Sequence, residues 1–201
     1  MRLHHMTWPD VEAYLNRSRG IIVPIGSTEQ HGPNGPIGTD AICPETVADA
    51  VGEADGVLIA PTIAFGMAQH HLAFPGTMSL KPATLLLVLK DLIASLARHG
   101  FERIYFLNGH GGNIATITAA FSEVYAEMGS AAPRLKQHSW FIGPRVRKLS
   151  KELYGDAEGS HATPSEVALA WHAWPHAVRD VEMSPKVAPR GVIRDAEDYR
   201  R

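Results

Sequence analysis

The sequence predicts an α/β fold built on a mostly parallel sheet with helices on both faces. Apolar runs of strand length at 21–25, 57–63 and 103–107 alternate with stretches of helical periodicity, the pattern of successive strand–helix–strand units. Two of those runs, 21–25 and 57–63, are apolar almost throughout, as strands buried on both faces are. Each of the three is followed by a loop rich in glycine and polar residues. In a parallel sheet all three loops open on one edge, at the carboxyl ends of the strands.

Taken in order, Thr7 caps a short helix reaching about Ser18, with Pro9 tolerated in its first turn. The first strand is 21–25. A second helix is expected from Pro44 to about Ala54, with Asp55-Gly56 as its stop, and 57–63 is the second strand. Leu85, Leu89, Leu92 and Leu96 mark the apolar face of a helix over 82–99 that Gly100 ends. Residues 103–107 form the third strand, Asn108-Gly-His-Gly-Gly-Asn113 the turn into a helix reaching about Met128, and 134–140 a fourth strand. Thr163-Pro164-Ser165-Glu166 leads into an apolar helix over 167–171. From Ser184 to Arg201, proline and charge without periodicity predict an irregular tail. No repeat, low-complexity tract or linker divides the chain, so one domain over 1–201 is expected.

Of the 201 residues, 45% are apolar and 20% charged, as in ordinary soluble globular proteins. A net charge of -2 and the lack of a basic stripe argue against nucleic acid or an anionic membrane as partner. The first ten residues lack the apolar core of a signal peptide, and no run approaches the length of a membrane span. The lone cysteine, Cys43, leaves no internal disulfide and no cysteine-rich zinc site, and a reducing cytoplasm is the expected compartment. The outlier is histidine, with eleven copies. His4, His5, His99, His138, His172 and His176 fall in contexts that resemble helix ends or surface. His31, His70, His71, His110 and His161 fall beside glycines, prolines and carboxylates in loops.

The stretch from Gly26 to Asp40 is the focus of the chemistry. In extended backbone Glu29 and His31 point to the same side, and the Gly/Pro-rich turn after them returns Asp40 to meet them. Carboxylate oxygen with imidazole nitrogen suits Zn, Mn or Fe. The competing reading makes Glu29 and His31 solvated loop residues and Asp40 a helix cap. His110 sits in a turn whose glycines permit close approach to a ligand. The same turn also suits an anion at a helix N-terminus, and hence a non-catalytic phosphate- or nucleotide-binding protein, although neither a Walker lysine nor a GxGxxG spacing is present. Glu166 closes a capping box with Thr163, and a ligand role requires that helix end to face the other loops. His161 suits a proton shuttle, since imidazole titrates at about pH 6.5; otherwise it is a loop histidine. His71 is expected in the pocket wall and His70 to point away. Ser27 lacks a nucleophile elbow.

Together, Gly26-Ser-Thr-Glu29-Gln-His31-Gly-Pro with Gly38-Thr39-Asp40, then His71-x-x-Phe-Pro-Gly-Thr77, Asn108-Gly-His110-Gly-Gly-Asn113 and His161-x4-Glu166, resemble the creatininase (creatinine amidohydrolase) family, in the family's order across roughly residues 20–170. The resemblance implies a three-layer αβα fold, two divalent metal ions per chain (Zn, Mn or Fe) and a homo-oligomer, often a hexamer. It implies that Glu29, His31, Asp40 and His110 are metal ligands, with Asp40 bridging the ions. His161 matches the family's acid/base histidine and Glu166 the glutamate that follows it. On this reading a metal-activated water hydrolyses a C–N bond of a cyclic or linear small-molecule amide, and His71, Gly111, Gly112 and Asn113 face the substrate, the turn's amides steadying the oxyanion. One position departs from creatininase itself, which has a glutamate where this chain has Gly112. Members of this version draw the carboxylate from the position of Glu166, which brings in the alternatives of a formamide deformylase or a peptidase of cofactor biosynthesis. The family also continues beyond the point that matches residue 201, so a C-terminal contribution to the pocket or assembly is expected outside this sequence.

Overall fold

The computed structural model describes residues 1–182, 187 and 188, so the irregular tail expected from residue 184 lies outside the described residues but for those two. Four parallel strands, β1 (Gly20–Ile25), β2 (Leu58–Ile59), β3 (Arg103–Asn108) and β4 (Arg134–Ser139), lie in the order β2-β1-β3-β4. The carboxyl ends align, Ile25 beside Asn108 and Asn108 beside Ser139. Among the described residues the α-helices are α1 (Trp8–Leu15), α2 (Thr39–Asp55), α3 (Pro82–Arg98), α4 (Ile114–Met128), α5 (Pro144–Tyr154) and α6 (Pro164–Ala173).

Side chains alternate across the strands and so serve two cores. Ile21, Val23 and Ile25 of β1 with Ile104 and Phe106 of β3 pack against Tyr14 of α1, Leu89 of α3 and Ile117 of α4. The intervening Ile22, Tyr105 and Leu107 face Cys43 and Ala48 of α2 and Leu169 of α6. That is the expected three-layer αβα arrangement, with the sheet covered on both sides.

Four details differ from the sequence reading. α2 starts at Thr39, so Asp40 lies in its first turn and Pro44 inside the helix. Proline commonly occupies a first helical position, which made Pro44 resemble the start. The second strand is cut to Leu58–Ile59 because the ladder shifts by one residue: the Ala60 amide donates to Ile22 O at 2.8 Å, but it is Ile63, not Thr62, whose amide donates to Pro24 O at 2.9 Å, a bulge that leaves one residue extra. On α3 the buried stripe is Leu85, Leu89 and Ile93, while Leu92 is 40% exposed. α5, to which the reading above assigns nothing, is a polar helix whose Leu149 and Leu153 are exposed. No helix among the described residues is long and apolar enough to cross a membrane.

Candidate metal centre

The loops after β1, β2 and β3 and the approach to α6 meet in one cluster at the carboxyl edge of the sheet. The loop after β1 supplies Glu29 and His31, and the first turn of α2 supplies Asp40. A short 3-10 turn (Gln69–His71) carries His70 and His71, the exit of β3 carries His110, the bend before α6 carries His161 and the first turn of α6 carries Glu166. α2 reaches this edge through two glycines. A Cβ at Gly26 or Gly109 would collide with the Asp40 carbonyl, so a bare Cα at both positions lets the helix start seat on the ends of β1 and β3.

Asp40 is the hub. Its Oδ1 lies 3.0 Å from His31 Nε2 and its Oδ2 lies 2.8 Å from His110 Nδ1. Each imidazole uses its other nitrogen on a backbone carbonyl: His31 Nδ1 donates to Glu29 O at 3.1 Å and His110 Nε2 to Met67 O at 2.9 Å. Without metal the nitrogen that faces Asp40 carries a proton to it; on losing that proton, a ring anchored behind in this way would turn a lone pair there, which is how metal-ligating histidines are oriented. Glu29 is wholly buried, and neither of its oxygens receives a well-aligned hydrogen bond, although His71 Nε2 is 3.1 Å from one and His110 Nε2 3.3 Å from the other. A buried carboxylate left this way is costly unless a cation completes it. Ligand atoms of Glu29, His70 and His110, of Glu29, His31 and His161, and of His31, Asp40 and Glu166 lie within 4.8 Å of one another in each set. Separations of about 3 Å are what two donors about 2.1 Å from one ion subtend at right angles. The nitrogen and oxygen donors fit Zn, Mn or Fe.

Protonation follows from the same packing. Burial opposes charge on His31, but Asp40, Glu166 and Glu29 outweigh it and raise the imidazole to about 10. His110 is likewise raised to about 9, against burial, by Asp40 and Glu29. Glu29 is raised by burial and by repulsion from Asp40, and Glu166 by burial despite His31. Asp40 is held below the usual carboxylate range, the nearby His31 and His110 outweighing its burial. Burial, then His31 and His71, lowers His161 to about 3, so its ring is neutral.

Glu166 makes the expected cap and also stands at the cluster. Its Oε2 accepts from the Thr163 amide at 2.8 Å and from the Thr163 hydroxyl at 2.9 Å, a capping box, while the same residue stands beside His31 and Asp40. The cap occupies only that oxygen. His161 Nε2 lies 2.8 Å from Gln30 O and 3.0 Å from Gln30 Nε2, and Nδ1 faces Glu29 Oε1 at 3.8 Å. Ala162, between His161 and Thr163, adopts the left-handed conformation at φ 49°, a strained position for a residue with a Cβ.

The cluster floors a cavity of about 670 Å³, also lined by Gly111 and Gly112. His71 lines it as expected. So does His70, contrary to its expected outward aspect: the 3-10 turn sets its ring tilted against that of His71, 4.2 Å between centroids, and burial, then His71, lowers it to about 4. Adjacent residues diverge in a strand but not in so tight a turn. Asn113 does not line the cavity. Its side chain is spent on scaffold, accepting from the Met67 amide at 3.0 Å and donating to Gly26 O at 2.9 Å. Arg147 and Lys151 of α5 line the cavity and were not singled out by sequence. The available signal was Pro144 followed by apolar residues at 146, 149 and 153, a helical spacing.

The family profile described as Creatininase: Creatinine amidohydrolase matches residues 4–200. The chain is 42% identical over 106 residues to the mycofactocin precursor peptide peptidase of Mycolicibacterium smegmatis, covering 50% of this chain and 42% of that protein. It is 29% identical over 167 residues to the 3-dehydro-scyllo-inosose hydrolase of Thermotoga maritima, covering 83% of this chain and 53% of that protein. The chain thus spans about half the length of these curated relatives. Among solved structures, a manganese creatininase superposes with a TM-score of 0.78 at 29% identity, and a variant creatininase of Zn-Zn type with 0.78 at 28%; each match covers 89% of this chain and 74% of the other.

Proposed function

Because the chain belongs to the creatininase family, we propose that it is a metal-dependent amidohydrolase that holds two divalent ions in the cluster around Asp40. The observation that carries this reading is the placement of His31 and His110 before opposite oxygens of one carboxylate, each ring anchored behind by a backbone carbonyl. Glu29 and His110 with Asp40 form one half of the site, and His31 and Glu166 with Asp40 the other. Gly112 supports Glu166 as a ligand. A Cβ there would lie 2.6 Å from Met67 O and inside contact distance of the His110 ring, so in this conformation a side chain has no room at that position and the carboxylate must come from elsewhere. Three carboxylates face the pair, a charge suited to two dications and one hydroxide.

When bound, such ions lower the pKa of water toward neutrality and polarise a carbonyl. The chain's residues do the rest. His161, neutral and held at Nε2 by Gln30, offers Nδ1 as the acceptor for the proton of the attacking water and returns that proton to the leaving nitrogen. Gly111 and Gly112 present backbone to the cavity where the oxyanion develops, whereas the Asn113 amide is taken by His110 O at 3.2 Å. A cavity of about 670 Å³ exceeds the need of a small cyclic amide, which, with the identity to a peptidase, favours a linear amide or peptide. Exposed Leu149, Leu153, Trp171 and Trp174 support the further reading of a homo-oligomer, a hexamer by family, and the single buried cysteine supports a cytoplasmic setting.

Metal content and a hydrolysis screen of creatinine, formamides and short peptides test the proposal. His110→Ala is expected to lose metal and turnover together. His161→Ala is expected to keep both ions and lose at least 100-fold in kcat. Full turnover in His161→Ala would remove the shuttle role, and a protein without metal that gains thermal stability from inorganic phosphate would favour the non-catalytic binder.

A further inference from the structure

The cavity has a second chemical feature, on the wall that α5 contributes. Arg147 and Lys151 line it and, among the described residues, are the only arginine and lysine that do. Four residues apart on α5, they leave the same helix face one turn from each other. Among the described residues neither has an ion-pair partner, whereas the neighbouring Lys148 lies 3.8 Å from Glu152. The acids in the lining are already engaged. Glu29, Asp40 and Glu166 belong to the cluster, and Glu158 accepts from the Ser165 amide at 3.4 Å and from the Ser165 hydroxyl. Once the cluster's charge is balanced by cations, Glu158 is the one anion left among the described lining residues, against the two cations of the wall, and both of its oxygens are held by Ser165.

We propose that Arg147 and Lys151 bind a carboxylate carried by the substrate at a distance from the scissile amide. This rests on the hydrolase reading above and narrows it to acidic amides, the free end of a short peptide among them. The planar fork of an arginine pairs with both oxygens of a carboxylate, and a lysine one turn away adds a point charge without demanding a second geometry. A small neutral amide would leave this wall uncontacted.

Titration calorimetry of the metal-loaded protein with N-acetylglycine and with N-acetylglycinamide tests this, the two probes differing in the presence of the carboxylate. The wild type is expected to bind N-acetylglycine at least tenfold tighter, and the preference to fall below threefold in the Arg147→Gln/Lys151→Gln double variant. Both positions are exposed, so metal content and Tm are expected to stay as in the wild type. A preference that survives the double substitution would mean that the carboxylate sits on the ions and would overturn the proposal. Equal binding of the two probes by the wild type, or binding of neither, would overturn it as well. The charge-reversed Arg147→Glu/Lys151→Glu variant provides a second check and is expected to bind the neutral probe the tighter of the two. Metal analysis of the same samples separates the two readings: protein that lacks metal yet prefers the carboxylate through these residues would keep the wall and discard the metal centre.

Discussion

Gly112 illustrates how one missing side chain shapes the site. Adding a Cβ pushes on the His110 ring and on Met67 O, the carbonyl that orients that ring. Gly112→Ala is therefore expected to weaken metal binding 10- to 100-fold, the usual range for disturbing an orienting partner, without unfolding the protein; equilibrium dialysis with Zn alongside thermal melts checks this. Gly109→Ala meets the Asp40 backbone and Pro44 instead, so its damage falls on the seating of α2. The raised imidazoles make a second expectation at this scale. In metal-stripped protein His31, up to about 10, and His110, up to about 9, carry protons at neutral pH that must leave before either nitrogen can ligate. Lower pH retains those protons and opposes uptake, so affinity should rise from pH 6 to pH 9 with protons released. Calorimetry in buffers of different ionisation enthalpy measures that release, and an affinity indifferent to pH would contradict the ligand assignment.

At the scale of elements, periodicity located α3 but not its buried face. Leucines at 85, 89, 92 and 96 fit a helical stripe, yet the surface covered by the sheet and α4 is centred on Leu85, Leu89 and Ile93. Neighbouring positions on a helix differ by about 100°, enough to move Leu92 into solvent and Ile93 into the core. Ile93→Ala should cost about 2–5 kcal/mol and Leu92→Ala about 0.5 kcal/mol or less, read from denaturant midpoints. Equal costs would mean that the helix is rotated. The capping box of α6 was legible in Thr163-x-x-Glu166, because it is made by residues three apart. That the same glutamate stands beside His31 depends on α6 packing against α2, which no local pattern encodes.

For the molecule as a whole, the cluster ties the loops after β1, β2 and β3 to the start of α6 across more than a hundred positions of chain. Ions that bind only when those segments are assembled stabilise the folded state. Metal at a thousandfold excess over its Kd contributes about 4 kcal/mol. A chelator should accordingly lower Tm by roughly 10 °C in a chain of this size, reversed by adding Zn or Mn, and an unchanged melt would argue against a structural share for the ions. What the sequence determined by itself was the alternation of strands and helices, the edge on which the polar loops open, and the residue types able to ligate, since all of these follow from spacing and turn chemistry among near neighbours. Tertiary structure alone decided that His70 faces inward, that Asn113 serves the scaffold, that Glu166 meets Asp40, and that α5 brings two cations to the cavity. Those outcomes depend on how helices seat against the sheet, and the close backbone contacts that set the seating join residues too far apart in the chain for any local pattern to register.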